Sequence, residues 1–263
     1  MASLEGEAIV LRAVEYGEAD VIAHLLTPDR GRQTVIAKHA RKSRRRFPGS
    51  LDLFNHLFVR ISKKRRSSLG FLEQAVLRAP FLPLRQCVGR YALASYLVEL
   101  LDRMAPEEGA GPEMAQIFEF ALSALQSIGE VEPDDRLRSF MELRAFSALG
   151  LQPELERCVR CGETPGGTRL GFSVPDGGIL CAAHSLEAGS GVLPVHLGTL
   201  RVLRQALVYD LERLPRLGLS GQALAEARQI LFRFQRFHVG FELKSEPFLE
   251  ASLNGGRLTP ATA

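Results

Sequence analysis

The apolar residues of this chain change period at Pro80, and one kind of secondary structure cannot satisfy both halves. Before that point, residues 7–15, 20–27, 32–38, 53–62 and 69–77 read as five short strands. Alternation is clearest in the fourth, where Leu53, Asn55, Leu57, Val59 and Ile61 share one face and Phe54, His56, Phe58 and Arg60 the other. The second and third strands are joined by Thr27-Pro28-Asp29-Arg30-Gly31, in which proline presets a turn and glycine supplies a positive φ, so a hairpin is expected. Five strands of this length fit a small closed barrel.

Beyond Pro80, apolar residues recur at three and four: Leu93, Leu97, Leu101 and Met104, then Met114, Ile117, Phe118, Leu122 and Leu125, then Leu137, Phe140 and Met141. These are amphipathic helices. Pro83, Pro106, Pro112 and Pro133 fall between or at the starts of these segments, and Gly150 stands where a helix C-cap belongs. Two more helices are expected at 197–209 and 224–241, the second with Leu224, Ala227, Ile230, Leu231, Phe234, Phe237 and Phe241 on one buried stripe. The fold class expected is α+β: a five-stranded N-terminal barrel over 1–79, then a helical domain over 80–252. An insert occupies about 153–190, and a disordered tail is expected at 253–263.

In the insert, Cys158-x2-Cys161 and Cys181-x2-His184 each have the spacing that lets two ligands reach one ion from a tight turn. Residues 162–180 between them hold six Gly and two Pro, which suits a hairpin around metal and not a hydrophobic core. The expected cofactor is a structural Zn2+ on Cys158, Cys161, Cys181 and His184, because four protein ligands close a tetrahedral shell and leave no place for a catalytic water. Cys87 stands apart and reads as a small buried residue at a helix start.

Charge is segregated as sharply as period. Between Arg30 and Arg66 there are thirteen Lys/Arg and one acid, Asp52, while the rest of the chain carries a net −9. Packed like charges repel, so such a stretch does not serve the fold; it steers a polyanion onto one surface. The candidates are Arg30 and Arg32 at the hairpin, Lys38, Arg41, Lys42, Arg44, Arg45 and Arg46 after the third strand, and Lys63, Lys64, Arg65 and Arg66 after the fourth. Phosphates would pair with these cations, Phe47 and Phe54 are candidates for base stacking, and little sequence preference is expected.

Several enzyme classes are excluded by what their chemistry needs. A zinc deaminase requires His-x-Glu, and His24, His39 and His56 are followed two positions on by Leu26, Arg41 and Phe58. The chain lacks Gly-x-x-x-x-Gly-Lys, Gly-x-Gly-x-x-Gly and Gly-x-Ser-x-Gly, so no enzyme is expected. The N-terminus is acidic where a signal peptide is basic, and the apolar patch at 91–101, broken by Ser95 and Glu99, is too short to span a bilayer. A cytoplasmic, nucleoid-associated protein with no membrane partner is expected.

These residues resemble the RecO recombination-mediator family. The likeness is carried by Ala8-Ile9-Val10-Leu11-Arg12 with Tyr16-Gly17-Glu18-Ala19-Asp20, by Ala37-Lys38-His39-Ala40-Arg41-Lys42, and by Leu149-Gly150-Leu151-Gln152-Pro153 ahead of the first Cys pair. Phe172-Ser173 and Gly177-Gly178 before Cys181, and Leu243-Lys244-Ser245, complete it. The resemblance implies an OB-fold barrel, a helical domain with a zinc-finger-like insert and no catalytic centre. It implies binding of single- and double-stranded DNA, strand annealing, and, with RecR, loading of RecA onto strands coated by single-strand-binding protein in the RecF pathway. One departure is His184, where the family's fourth ligand is commonly Cys; neutral imidazole leaves the site at −1 instead of −2. Arg136, Arg138, Arg144, Arg201 and Arg204 are candidates for holding the acidic tail of single-strand-binding protein. An RNA- or ribosome-associated zinc-ribbon protein is the alternative function.

Overall fold

The computed structural model describes residues 2–43, 46–63 and 69–253. Arg44, Arg45, Lys64, Arg65, Arg66 and the tail from residue 254 lie outside the described residues. The chain forms two compact units, 1–130 and 131–263.

The first unit is built on β1 (Ala2–Tyr16), β2 (Asp20–Thr27), β3 (Gly31–Ala37), β4 (His56–Lys63) and β5 (Gly70–Ala79), closed into a barrel in the order β1-β2-β3-β5-β4. Closure depends on the length of β1. Its first half pairs with β4, from Ala2–Lys63 to Ile9–His56, and its second half with β2, from Ile9–Leu26 to Tyr16–Asp20. A register shift between Val10 and Arg12 separates the halves, and such a bulge bends and twists the strand enough to serve two neighbours. The parallel pair β3–β5, at Val35–Gly70 and Ile36–Phe71, completes the ring. Val10, Leu25, Val35, Leu57, Val59 and Leu72 fill it.

The alternation expected in the fourth strand holds from His56 onward, with Leu57, Val59 and Ile61 buried. It fails at 53–55. Phe54 adopts φ +74°, and its N–H and the Asn55 carbonyl bond across to Val10 at 3.0 Å each, so the chain turns into the strand there. α1 (Leu82–Arg85), α2 (Val88–Met104) and α3 (Pro112–Glu130) belong to this unit, and α2 and α3 pack against β1, β2 and β3. Cys87 is the half-buried N-cap residue of α2.

The second unit opens with α4 (Asp135–Ala148). Asp134 caps it by accepting from the Leu137 N–H at 2.7 Å, and Gly150, at φ +76°, ends it: Leu151 N–H donates to the Phe146 carbonyl and Gly150 N–H to that of Ser147. Only a residue at ease with positive φ closes a helix this way, as the sequence anticipated. There follow β6 (Arg169–Ser173), β7 (Gly178–Leu180), α5 (Ala182–Ala188), β8 (Val192–His196), α6 (Leu197–Val208), α7 (Gly221–Phe234) and α8 (Glu246–Leu253). The strands form an antiparallel sheet in the order β7-β6-β8.

Two expectations need correction here. The insert is not coreless: Leu170, Phe172, Ile179 and Leu180 are buried, and Phe172 meets Phe234 edge-on at 6.4 Å. The stripe of the last long helix also does not run through to Phe241. A π turn at Gln235–Val239 follows α7, and its extra residue per turn rotates the stripe, burying Gln235 and leaving Phe237 57% exposed. Among the described residues, no helix is long and apolar enough to cross a membrane.

Candidate nucleic-acid interface and metal centre

The metal centre is assembled from two turns. Val159 N–H donates to the Ile179 carbonyl and Ile179 N–H to the Glu154 carbonyl, so the segment bearing Cys158 is laid along β7. A Cβ at Gly178 would stand 2.6 Å from Val159 and 2.7 Å from the Glu154 carbonyl, which is why this crossing needs glycine. Gly162 N–H then donates to the Cys158 carbonyl at 2.8 Å, folding Cys161 back toward Cys158. Cys181 is the N-cap residue of α5, and His184 follows one turn later.

The three sulfurs and one ring nitrogen all lie within 4.8 Å of one another. His184 Nδ1 is 3.2 Å from Cys181 Sγ and 3.5 Å from Cys158 Sγ, close to the edge of a tetrahedron with bonds of about 2.0–2.3 Å. His184 Nε2 faces Glu187 at 4.0 Å, a carboxylate placed to steady the ring. Burial disfavours ionisation of Cys158, but the backbone N–H groups of Cys181, Cys161 and Arg160 point at its sulfur and hold the thiol down to about 6. The Glu163 N–H favours the Cys161 thiolate, yet burial and the sulfurs of Cys158 and Cys181 outweigh it and push that thiol up. Crowded sulfurs resist carrying several charges together, a conflict that a cation removes. These four residues could therefore hold a metal ion, and all four donors come from the chain.

The candidate cations among the described residues do not form one cluster. Lys38, Arg41, Lys42 and Arg46 gather where β3 leaves the barrel: Asp20 accepts from Lys38 Nζ at 2.6 Å and from the His39 N–H at 2.8 Å, and Arg46 donates to the Lys38 carbonyl at 2.6 Å. The Asp20 carboxyl is held below its usual range by the His39 N–H and then by Lys38. Arg41 and Lys42 are exposed on the short 3-10 turn Ala40–Lys42. Arg30, Arg32 and Lys63 lie elsewhere. The β2–β3 hairpin runs from Val21–Ala37 to Thr27–Gly31, so Arg30 and Arg32 are about 20 Å away along the strands.

That second group is largely neutralised. Arg32 pairs with Glu107 at 2.9 Å and approaches Asp102 at 3.8 Å, and Lys63 pairs with Glu108. His24 Nδ1 lies 2.6 Å from Asp102, and Thr34 donates to Glu107 at 3.0 Å. In small barrels of this type the outer face of β2–β3 commonly takes the ligand, and here α3, Asp102 of α2 and the acids after α2 lie against those strands. Sequence reasoning missed Asp20, Asp102, Glu107 and Glu108, because only the fold brings them to the cations. Arg60, also passed over, is exposed and pairs with Glu5 at 3.2 Å.

The stacking candidates are not available. Phe47 belongs to the barrel core, with Arg46 over its ring at 5.1 Å, and Phe54 is fully buried edge-on to Tyr91 at 5.2 Å. Nor do the five arginines of the second unit share one role. Arg138 is 1% exposed and held by Glu142 at 2.8 Å and Glu246 at 3.0 Å, which takes it off the surface. Arg144, half-buried, donates to the carbonyls of Ala206, Leu207 and Tyr209 at the end of α6, and burial pushes its pKa down. Arg136 bonds Asp134 and the Leu217 carbonyl. Arg201 is exposed, and Arg204 half-buried.

A closed five-stranded barrel of the OB type with cations on one rim, followed by a unit carrying a Cys3His cluster that could hold a metal ion, is the class of architecture this chain presents. Residues 1–81 match the family described as Recombination protein O N terminal, and residues 85–247 that described as Recombination protein O C terminal. A DNA repair protein RecO of Syntrophus aciditrophicus (strain SB) is 33% identical over 251 residues, covering 95% of this chain and 96% of that one. Those of Anaeromyxobacter sp. (strain K) and Bacillus subtilis (strain 168) are 36% and 32% identical, over 92% and 93% of this chain and 94% and 92% of theirs. The chain belongs to the RecO family of DNA repair proteins.

Proposed function

We propose that this protein is a recombination mediator that works by binding alone: it takes up single- and double-stranded DNA, anneals complementary strands, and with RecR helps RecA onto strands coated by single-strand-binding protein. The observation that carries the reading is the group Lys38, Arg41, Lys42 and Arg46, fixed on one barrel rim by the Asp20 turn. Annealing brings two polyanions together, and a fixed basic rim screens their repulsion while contacting phosphate and leaving base edges free to pair. Family membership supports the partners. Arg201 and Arg204 are the arginines left for an acidic tail, Arg201 beside a cavity of about 510 Å³ lined in part by Leu197, Val202 and Leu219.

In this reading the ion at Cys158, Cys161, Cys181 and His184 is zinc, since three thiolates and an imidazole suit that borderline-soft ion, and its role is to hold the ribbon. The test is annealing of complementary oligonucleotides coated with the cognate single-strand-binding protein, with and without its acidic tail. Acceleration that requires the tail is expected. Arg41→Ala with Lys42→Ala should weaken single-strand binding and reduce the slope of log affinity on log salt by about 1.4, two phosphates' worth. Unaltered binding and slope in the double variant would remove this rim from the mechanism, and preference for structured RNA over single-stranded DNA would favour an RNA-binding role.

A further inference from the structure

A cavity of about 660 Å³ lies where the β1–β2 turn meets the connection from β3 to β4. Its lining is mostly apolar, from Val14, Val21, Ala40, Phe47 and Leu51, and its size falls within the about 300–1,000 Å³ of small-ligand pockets. Arg41 lines it too, joined to Glu15 at 3.1 Å by an exposed pair of the weak kind that a phosphate can exchange. Lys42 follows on the same 3-10 turn. A ligand with a flat apolar body and an anionic edge fits this combination.

One polar group narrows the choice. Asp52, the single acid between Arg30 and Arg66, lines the cavity, is exposed, and pairs with no cation among the described residues. On a surface meant for phosphate an acid that neutralises nothing repels the ligand, unless the ligand offers it a donor.

We propose that this cavity takes one unstacked nucleobase of a bound single strand and favours bases carrying an exocyclic amine, cytosine and adenine over thymine. The proposal rests on the reading of the barrel rim as a DNA surface and adds to it a base-specific contact. Arg41 and Lys42 take the flanking phosphates while the ring enters between Val14 and Leu51. Asp52 accepts from the amine, as carboxylates do from cytosine N4. Thymine presents O4 at that position, and two acceptors then face each other.

The full chain is titrated with labelled oligo(dC) and oligo(dT) of equal length at fixed salt and pH 8. The wild type is expected to bind oligo(dC) about fivefold tighter or more, the lower part of the range for a base-edge contact. Asp52→Asn should bring the two affinities together without weakening oligo(dT). Val14→Trp, at a position 45% exposed and therefore tolerant of a larger ring, should fill the cavity and abolish the preference while leaving the salt slope unchanged. Equal wild-type affinities, or a preference that survives both substitutions, would overturn the base pocket and leave the basic rim standing. Failure to bind either oligonucleotide in dilute buffer would overturn both readings. An apolar peptide that competes with DNA in the wild type and not in Val14→Trp, without any base preference, would assign the cavity to a protein partner instead.

Discussion

Charge at single residues does opposite work in the two units, and sequence alone does not separate the cases. Arg138 and Arg41 are both arginines in charged neighbourhoods, yet Arg138 is enclosed with Glu142 and Glu246, while Arg41 meets solvent. Glu142 also accepts from Arg228 at 2.6 Å, so the buried acids depend on these two guanidiniums. Burial raises the pKa of Glu246 in spite of Arg138, which marks the cost of enclosing that carboxylate. Arg138→Ala should therefore destabilise the second unit by about 3–5 kcal/mol, the usual result of stranding a buried partner, whereas Arg201→Ala should change stability by less than about 0.5 kcal/mol. Urea unfolding followed by circular dichroism compares them. If Arg138→Ala were as mild as Arg201→Ala, Glu142 and Glu246 would have to reach water in the native protein. A helical period places Arg138 no better than Arg201, because which face becomes interior is decided by residues more than 100 positions away.

Elements were legible wherever their signals are local. The Pro-Asp-Arg-Gly turn gave the β2–β3 hairpin, the alternation of 57–61 gave β4, and Gly150 gave the end of α4. What escaped was set by pairing at a distance: the first residues of β1, polar and half exposed, become a strand through their partnership with β4. The junction of β8 and α6 is another such case. Glu226 of α7 accepts from the His196 N–H at 3.0 Å and from Thr199 Oγ1 at 2.5 Å, so a carboxylate thirty residues on caps the start of α6. Burial raises its pKa, but the bonds from Thr199 and His196 outweigh that and hold it below the ordinary 4.5. A carboxyl depressed in the folded state stabilises above its unfolded pKa and loses that contribution as pH falls through the folded value. Glu226→Gln should accordingly cost about 1 kcal/mol at pH 7, and the difference from wild type should shrink below pH 4.5. Denaturant midpoints at pH 7 and pH 3.5 measure it; a gap of equal size at both would mean that shape, not charge, makes the cap.

At the scale of the whole molecule, the basic rim lies in the first unit and the candidate metal cluster in the second, and each unit carries its own core. The family profiles divide near residue 80, as the change of apolar period does, whereas the contacts divide the chain after Glu130 because α2 and α3 cover the barrel. The Cys-x2-Cys and Cys-x2-His spacing was readable in full, since each pair closes within one turn; the split of the cations was not, since it follows from strand direction. The metal's share in stability can be bounded from the ribbon's packing. Leu170, Phe172, Ile179 and Leu180 are buried, and Phe172 packs edge-on against Phe234, so the sheet has apolar packing that a small isolated finger lacks. The ligand-bearing turns have less support: Leu155 and Cys158 are buried, but Cys161 is exposed, and α5, which carries His184, buries none of its residues. Chelation, or Cys181→Ala, should thus release 154–164 and 181–191 to fast amide exchange, leave β6 with most of its protection, and leave the barrel strands unchanged. Hydrogen exchange by mass spectrometry on the intact chain resolves these segments. Loss of protection across β6, α6 and α7 together would show that the ion holds the entire second unit, and no change anywhere would show that the four ligands keep their arrangement without it.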